Sequence, residues 1–161
     1  MAIKIFVTGG TFDKDYDEIT QTLMFKKTNL QDMLKISRVT QEISIETIML
    51  IDSLEMTDDG RKKILQKCLE CKDDKIVITH GTDTSSVTAE FLQGKIKNKT
   101  IVITGGMRPY LFGNSDALFN LGGAIAFAQS LPYGIYITMN GKLFKAGKVK
   151  KNKTTGYFEE I

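Results

Sequence analysis

The chain of 161 residues has no tryptophan, two prolines, two cysteines and one histidine, and several of these scarcities exclude a class of protein. Two cysteines cannot build a disulfide framework, so the composition points to a reduced, cytoplasmic compartment. Cys68 and Cys71 make a Cys-x-x-Cys pair. It falls late in a predicted helix rather than at the start, where a thiolate would gain from the helix dipole, so both read as packing residues. Cysteine and histidine together are too few for a zinc site, and no metal ligand set is expected. No stretch approaches the ~20 apolar residues of a membrane span, and residues 1–7 lack the apolar run of a signal peptide. His80 would be the base of any Ser-His-Asp hydrolase, but no Gly-x-Ser-x-Gly elbow supplies a nucleophile. It reads as a packed or supporting residue. Dinucleotide (Gly-x-Gly-x-x-Gly) and Walker phosphate-loop patterns are also missing.

What is present is ordinary for a globular chain: 42% hydrophobic and 25% charged residues in 18.0 kDa, which suits one domain over residues 1–161. The net charge of +3 is too mild to argue for nucleic acid or another polyanion as partner. Strand and helix signals alternate. Apolar, β-branched runs at 3–8, 43–50, 75–79, 101–104 and 134–138 read as strands. Helical periodicity marks 57–71 (Ile64, Leu65, Cys68, Cys71), 87–92, and a segment capped by Ser115 with Leu118, Leu121, Ile125 and Ala128 in one stripe. Asn140-Gly141 signals a hairpin into 142–145. Short strands apolar on both faces and separated by helices predict an α/β fold. It is a three-layer, doubly wound, mostly parallel sheet with helices on both faces and a C-terminal β-hairpin. Ligands of such sheets sit at the carboxyl ends of the strands. The charged, Thr-rich stretch 13–27 leaves one of those ends and reads as a mobile loop placed to cover a site.

Three strand ends carry similar punctuation: Thr8-Gly9-Gly10-Thr11, His80-Gly81-Thr82-Asp83-Thr84 and Thr104-Gly105-Gly106-Met107-Arg108-Pro109. Glycine lets backbone approach a ligand closely, and hydroxyls and a carboxylate then project from one sheet edge. Asp83 or Thr84 opens a helix, which adds free N–H groups and the positive dipole end. Two threonines, an acid and N–H donors suit acyl transfer through a hydroxyl nucleophile and an oxyanion hole. Each piece alone has a plainer reading, as a strand-to-helix turn or a helix cap. The lysine run Lys142, Lys145, Lys148, Lys150, Lys151 and Lys153 is either a solvated face or the source of one inward-turned base, and spacing does not choose.

Taken together with Asp52-Ser53, Ser115-Asp116, Phe119-Asn120-Leu121 and Thr154-Thr155, these motifs resemble the bacterial-type L-asparaginase family over nearly the whole chain. The resemblance implies hydrolysis of the asparagine side-chain amide to aspartate and ammonia, with no metal or organic cofactor. Thr11 resembles the nucleophile. Thr82, Asp83 and Lys151 resemble a second catalytic group of hydroxyl, acid and proton-accepting lysine. Tyr16 is the counterpart of a loop tyrosine that activates the first threonine, at a shorter spacing than the family usually shows. Ser53 and Asp83 would hold the substrate's α-carboxylate and α-ammonium, with Gly10, Asp52 and Gly81 lining the same site, and the N–H groups of Thr82 and Gly106 would form the oxyanion hole.

The chain departs from the pattern in two ways. It ends after the family's first domain, which fits a short-chain form lacking the second domain, and Leu54 stands where many relatives are polar, which implies loose substrate binding. L-asparagine is the expected substrate and a homo-oligomer the expected assembly. Broader amidase or glutaminase action, an amidotransferase component, and a non-catalytic amino-acid-binding module are the alternatives.

Overall fold

The computed structural model describes residues 1–161. Its centre is a six-stranded sheet of β1 (Ile3–Gly9), β4 (Ile43–Ile51), β5 (Lys75–Thr79), β6 (Thr100–Thr104), β7 (Gly134–Met139) and β8 (Lys142–Lys145), in the order β4-β1-β5-β6-β7-β8. The first five are parallel, and β8 closes the edge antiparallel to β7. The Asn140-Gly141 turn between them has φ of 50° and 85°, the left-handed pair that a tight hairpin needs. Four helices cover the sheet: α1 (Leu30–Ile36), α2 (Asp58–Glu70), α3 (Ser85–Leu92) and α4 (Ala117–Ser130). The expected α/β architecture is therefore present. No helix is long and apolar enough to cross a membrane.

Strand alternation sorts the core into two layers. Phe6, Ile76, Ile78, Ile101, Ile103, Ile135 and Ile137 face α2 and α3 and bury Ile64, Cys68, Ala89 and Leu92. Ile3, Ile5, Val7, Val77, Val102 and Tyr136 face α1 and α4 and bury Leu30, Met33, Leu121, Ala124 and Ala128. Because both faces are covered, these strands are continuous apolar runs.

This sorting fixes the hand of each crossover. The β5–α3–β6 and β6–α4–β7 connections advance in the same direction along the sheet but pass over opposite faces, so they have opposite hands. The β1–α1–β4 connection runs the other way on the face of α4, and β4–α2–β5 runs forward on the face of α3; both share the hand of α3's crossover. Since parallel crossovers are right-handed in nearly all proteins, β6–α4–β7 is the left-handed exception.

Four local features differ from the sequence reading. The stretch 13–27, expected as a mobile loop, contains a paired hairpin of β2 (Lys14–Asp17) and β3 (Thr22–Phe25). Its turn is closed by the Asp17 carboxylate, which accepts from the Ile19 amide and the Thr20 hydroxyl. The regular turns of α4 begin one residue later than expected, with Asp116 at the boundary and its carboxylate turned back to the preceding strand end. The Ser115 hydroxyl caps the helix by accepting from the Ala117 amide. The short helix α1 follows the hairpin, and a second small antiparallel pair joins β9 (Val149–Lys151) to β10 (Phe158–Glu160).

The carboxyl ends of the strands are packed backbone to backbone. A Cβ placed on Gly10 would lie 2.5 Å from the Gly81 Cα, one on Gly81 would lie 2.4 Å from the Ser53 Cβ, and one on Gly105 would lie 2.3 Å from the His80 carbonyl oxygen. Gly81→Ala must push the β4 and β5 ends apart and is expected to destabilise the fold by about 1–3 kcal/mol. Gly122, in the middle of α4, has open space around its Cβ position, and Gly122→Ala is expected to stabilise by about 0.5–1 kcal/mol. Urea unfolding of the two variants, read by circular dichroism, checks the opposite signs.

Candidate active site

Each parallel strand delivers a functional segment to the same edge: Gly10–Thr11 after β1, Asp52–Ser53 after β4, His80–Asp83 after β5, Gly105–Arg108 after β6 and Asn140 after β7. The centre of the constellation is Lys151. Its ammonium donates to the Thr82 hydroxyl at 2.8 Å and pairs with Asp83 Oδ1 at 2.8 Å, its side chain being only 13% exposed. These groups lie 68–69 residues apart in the chain, and β9, which packs against α3, brings them together. Of the lysine run, it is Lys151 that turns in; Lys142, Lys145 and Lys150 are exposed.

Ser53 is buried and packs against Gly81, and its carbonyl accepts from the Thr84 hydroxyl at 2.7 Å. Thr84 sits at the cap position of α3, but its side chain is spent on Ser53 rather than on the helix. Gly10 abuts Gly81, and its amide donates to the Ile51 carbonyl, so the 3₁₀ turn Thr11–Asp13 begins beside the Thr82 segment. A Cβ on Gly105 would lie 3.3 Å from Thr82 Cγ2, which places the Gly105-Gly106 turn on the other side of Thr82. Thr11, Ser53, Gly10, Gly81, Thr82, Asp83, Gly106 and Lys151 are therefore gathered on one edge. Tyr16 is not joined to them by any hydrogen bond; it lies on β2, 45% exposed, paired across the hairpin with Leu23.

The sequence reading missed three supports. Asp116 accepts from the Met107 and Arg108 amides and from the Asn120 and Asn140 side chains. Burial pulls its carboxyl up, but the bonds from Asn140, Met107 and Arg108 outweigh that and hold it below the usual carboxylate range. Asn120, one turn into α4, donates to the Gly105 carbonyl at 2.8 Å. Thus α4 fixes the turn beside Thr82, and the available signal was an acid opening the helix that follows the Gly105-Gly106 strand end. The third support, an ion pair from Lys14 to Asp52, spans 38 residues and had none. It holds the Asp52 carboxyl below its usual range, with the Leu54 amide adding to the effect. Leu54 itself is exposed. No three His, Cys, Asp or Glu side chains cluster as a metal site.

His80 is fully buried beneath the site. Nδ1 faces the Gly81 carbonyl and Nε2 faces the Thr88 hydroxyl, each at 2.8 Å. A carbonyl only accepts, so Nδ1 carries the hydrogen and Nε2 accepts from Thr88. Thr88 in turn accepts from Arg61 Nε. Burial pushes the His80 pKa down to about 4; the Gly81 bond opposes this and the Arg61 charge adds to it. The imidazole is therefore a neutral packing group, as expected. Burial likewise raises the Cys68 thiol to about 12, which makes it an inert core residue.

A pH dependence follows. A histidine at about 4 in the folded state and at 6.5 unfolded binds its proton preferentially in the unfolded chain. Stability is then complete above pH 6.5 and falls as pH drops towards 4, by about 3 kcal/mol in all. As the chain has one histidine, its single imidazole C2–H resonance should titrate near pH 4 and not near 6.5.

Comparison with known proteins identifies the family and agrees with the fold. The family described as "Asparaginase, N-terminal" matches residues 2–158. L-asparaginase 2 of Escherichia coli is 32% identical over 95% of this chain and 47% of its own length. The L-asparaginase of Thermococcus kodakarensis is 34% identical over 97% of this chain and 49% of its own. The solved structure of the thermostable L-asparaginase from that organism superposes with a TM-score of 0.85 at 30% identity, covering 100% of this chain and 51% of that one. A probable cytoplasmic L-asparaginase from Campylobacter jejuni gives 0.81 at 32%, covering 98% and 52%. The chain spans about half the length of the curated relatives it matches.

Proposed function

The chain belongs to the family of asparaginase amino-terminal domains, and from that premise we propose that it hydrolyses the side-chain amide of L-asparagine to L-aspartate and ammonia. The observation that carries the reading is the half-buried lysine at 2.8 Å from both the Thr82 hydroxyl and the Asp83 carboxylate. A cation held there keeps a hydroxyl and an acid in one fixed arrangement at the strand ends. In its neutral form the same nitrogen turns a lone pair to the hydroxyl and accepts its proton.

In this reading Thr11 attacks the amide carbon. A bond forms from its hydroxyl oxygen to that carbon, the C–N bond breaks, and the threonine proton leaves with ammonia. Water then opens the ester, its hydroxyl joining the carbonyl carbon to give the aspartate carboxyl and one of its protons going to the Thr11 oxygen as the ester bond breaks. The Thr82–Lys151 pair moves protons in these steps. The amides of Thr82 and Gly106 hold the oxyanion, where fixed N–H donors act most strongly in a site screened from water. Ser53 and Asp83 take the α-carboxylate and α-ammonium, and Tyr16 comes to Thr11 through movement of its hairpin. The exposed apolar side chains of Leu111, Phe112 and Phe119 support assembly as a homo-oligomer. The name of the Campylobacter jejuni protein and the two unpaired thiols support a cytoplasmic location.

Coupled ammonia release from asparagine, with glutamine as comparison, tests the reading. Thr11→Val and Thr82→Val should keep the fold and each lose about 10³-fold or more in turnover. Lys151→Met should lose on the order of 10²–10⁴, while Lys142→Met, Lys145→Met and Lys150→Met stay within about threefold, as expected of exposed charges. Near-normal turnover in the first three variants would overturn the assignment. Light scattering at micromolar concentration checks the assembly: a species of twice 18.0 kDa or more is expected.

A further inference from the structure

We propose that Lys14 is a positioning residue, and that its ion pair with Asp52 docks the β2–β3 hairpin onto the strand end that carries Ser53. This rests on the amidohydrolase reading for its consequence but not for its geometry. Lys14 is the first residue of β2, three positions after Thr11 and two before Tyr16. Its ammonium reaches Asp52 Oδ2 at 2.5 Å and sits 5.7 Å from the centre of the Phe25 ring on β3. One cation therefore touches both strands' ends of the hairpin and the end of β4. Its side chain is 16% exposed, so the pair is shielded enough to exceed the small worth of a surface bridge.

The pairing also changes the reading of Asp52. Oδ2 is taken by Lys14 and Oδ1 accepts from the Leu54 amide at 3.0 Å. Both oxygens are thus engaged by the protein, and Asp52 serves as an anchor beside Ser53 rather than as a substrate ligand. A second fixing point sits next to Lys14. The buried Asp13 carboxylate accepts from the Asn29 amide at 2.8 Å and closes the base of the hairpin against the start of α1. The hairpin is consequently held at its base, while its tip at Glu18–Gln21 stands in solvent. By contrast, Lys26 meets Asp15 at 3.4 Å in a largely exposed pair within the hairpin region, and touches no strand end of the central sheet.

Hydrogen exchange and steady-state kinetics on the full chain test this together. Lys14→Met should speed exchange of the 14–25 amides about tenfold, an opening shift of one factor of ten in equilibrium, with β5 and α3 unchanged. It should lower kcat about tenfold with KM within about threefold, because Thr11 loses its placement and the hairpin that carries Tyr16 loses its anchor. Lys14→Arg should restore both, and Lys26→Met should alter neither. Unchanged exchange in Lys14→Met would overturn the docking. Faster exchange with an unchanged kcat would overturn the positioning role. A wild-type protein without amidase activity would overturn the function proposed above and this role with it, while the exchange data would still decide the docking.

Discussion

The backbones at the carboxyl ends of β4, β1, β5 and β6 lie so close that side-chain carbons on Gly10, Gly81 or Gly105 would overlap their neighbours. Ordinary parallel strands diverge beyond their last hydrogen bond, and side chains fill the space. Here the chain segments stay in contact for one or two residues more. Ser53 rests against Gly81, Gly81 against Gly10, and Gly105 against the His80 carbonyl. The result is a floor made of peptide groups, with hydroxyls and a carboxylate rising from its edges. Position in such a floor is set by van der Waals contact, which leaves little freedom for local adjustment.

His80 and the helices below supply the support for this floor. A charged imidazole there would turn an Nε2–H towards a Thr88 hydroxyl that already receives a hydrogen from Arg61. The neutral tautomer fits the carbonyl on one side and the hydroxyl on the other. The one histidine of the chain is thus used for shape and hydrogen bonding. The left-handed β6–α4–β7 crossover has a comparable effect on the other side. It brings the start of α4 under the Gly105-Gly106 turn, where Asp116 and Asn120 take up its amides and a carbonyl. Buried polar groups satisfied in this way rigidify what they hold.

Two lysines far apart in the sequence make the long-range polar ties across the site edge. Lys151 links β9 to the β5 end, and Lys14 links the hairpin to the β4 end. Each meets a carboxylate that follows a parallel strand by one to four residues. Both are well shielded from solvent, so their pairings are more durable than those of surface lysines. The exposed members of the C-terminal lysine run keep only their charge.

The sequence by itself determined the layered fold and which strand ends matter. Apolar runs at strand spacing, glycine pairs after β1 and β6, and the Thr82-Asp83 segment after β5 are local signals that burial on two faces and sharp turns demand. The Asn140-Gly141 turn and the packing roles of His80 and Cys68 were readable for the same reason: each depends on residue type and immediate neighbours. The hairpin at 14–25 was not readable, because its strands carry Lys14, Asp15 and Asp17 and do not alternate apolar with polar. Residue spacing did not choose Lys151 among the lysines, which only the family resemblance singled out, and it did not show the Lys14–Asp52 pair, the service of Asp116 to the turn before it, or the hand of the α4 crossover. Those depend on which elements meet in space, and the energies that settle them arise from contacts between residues tens of positions apart.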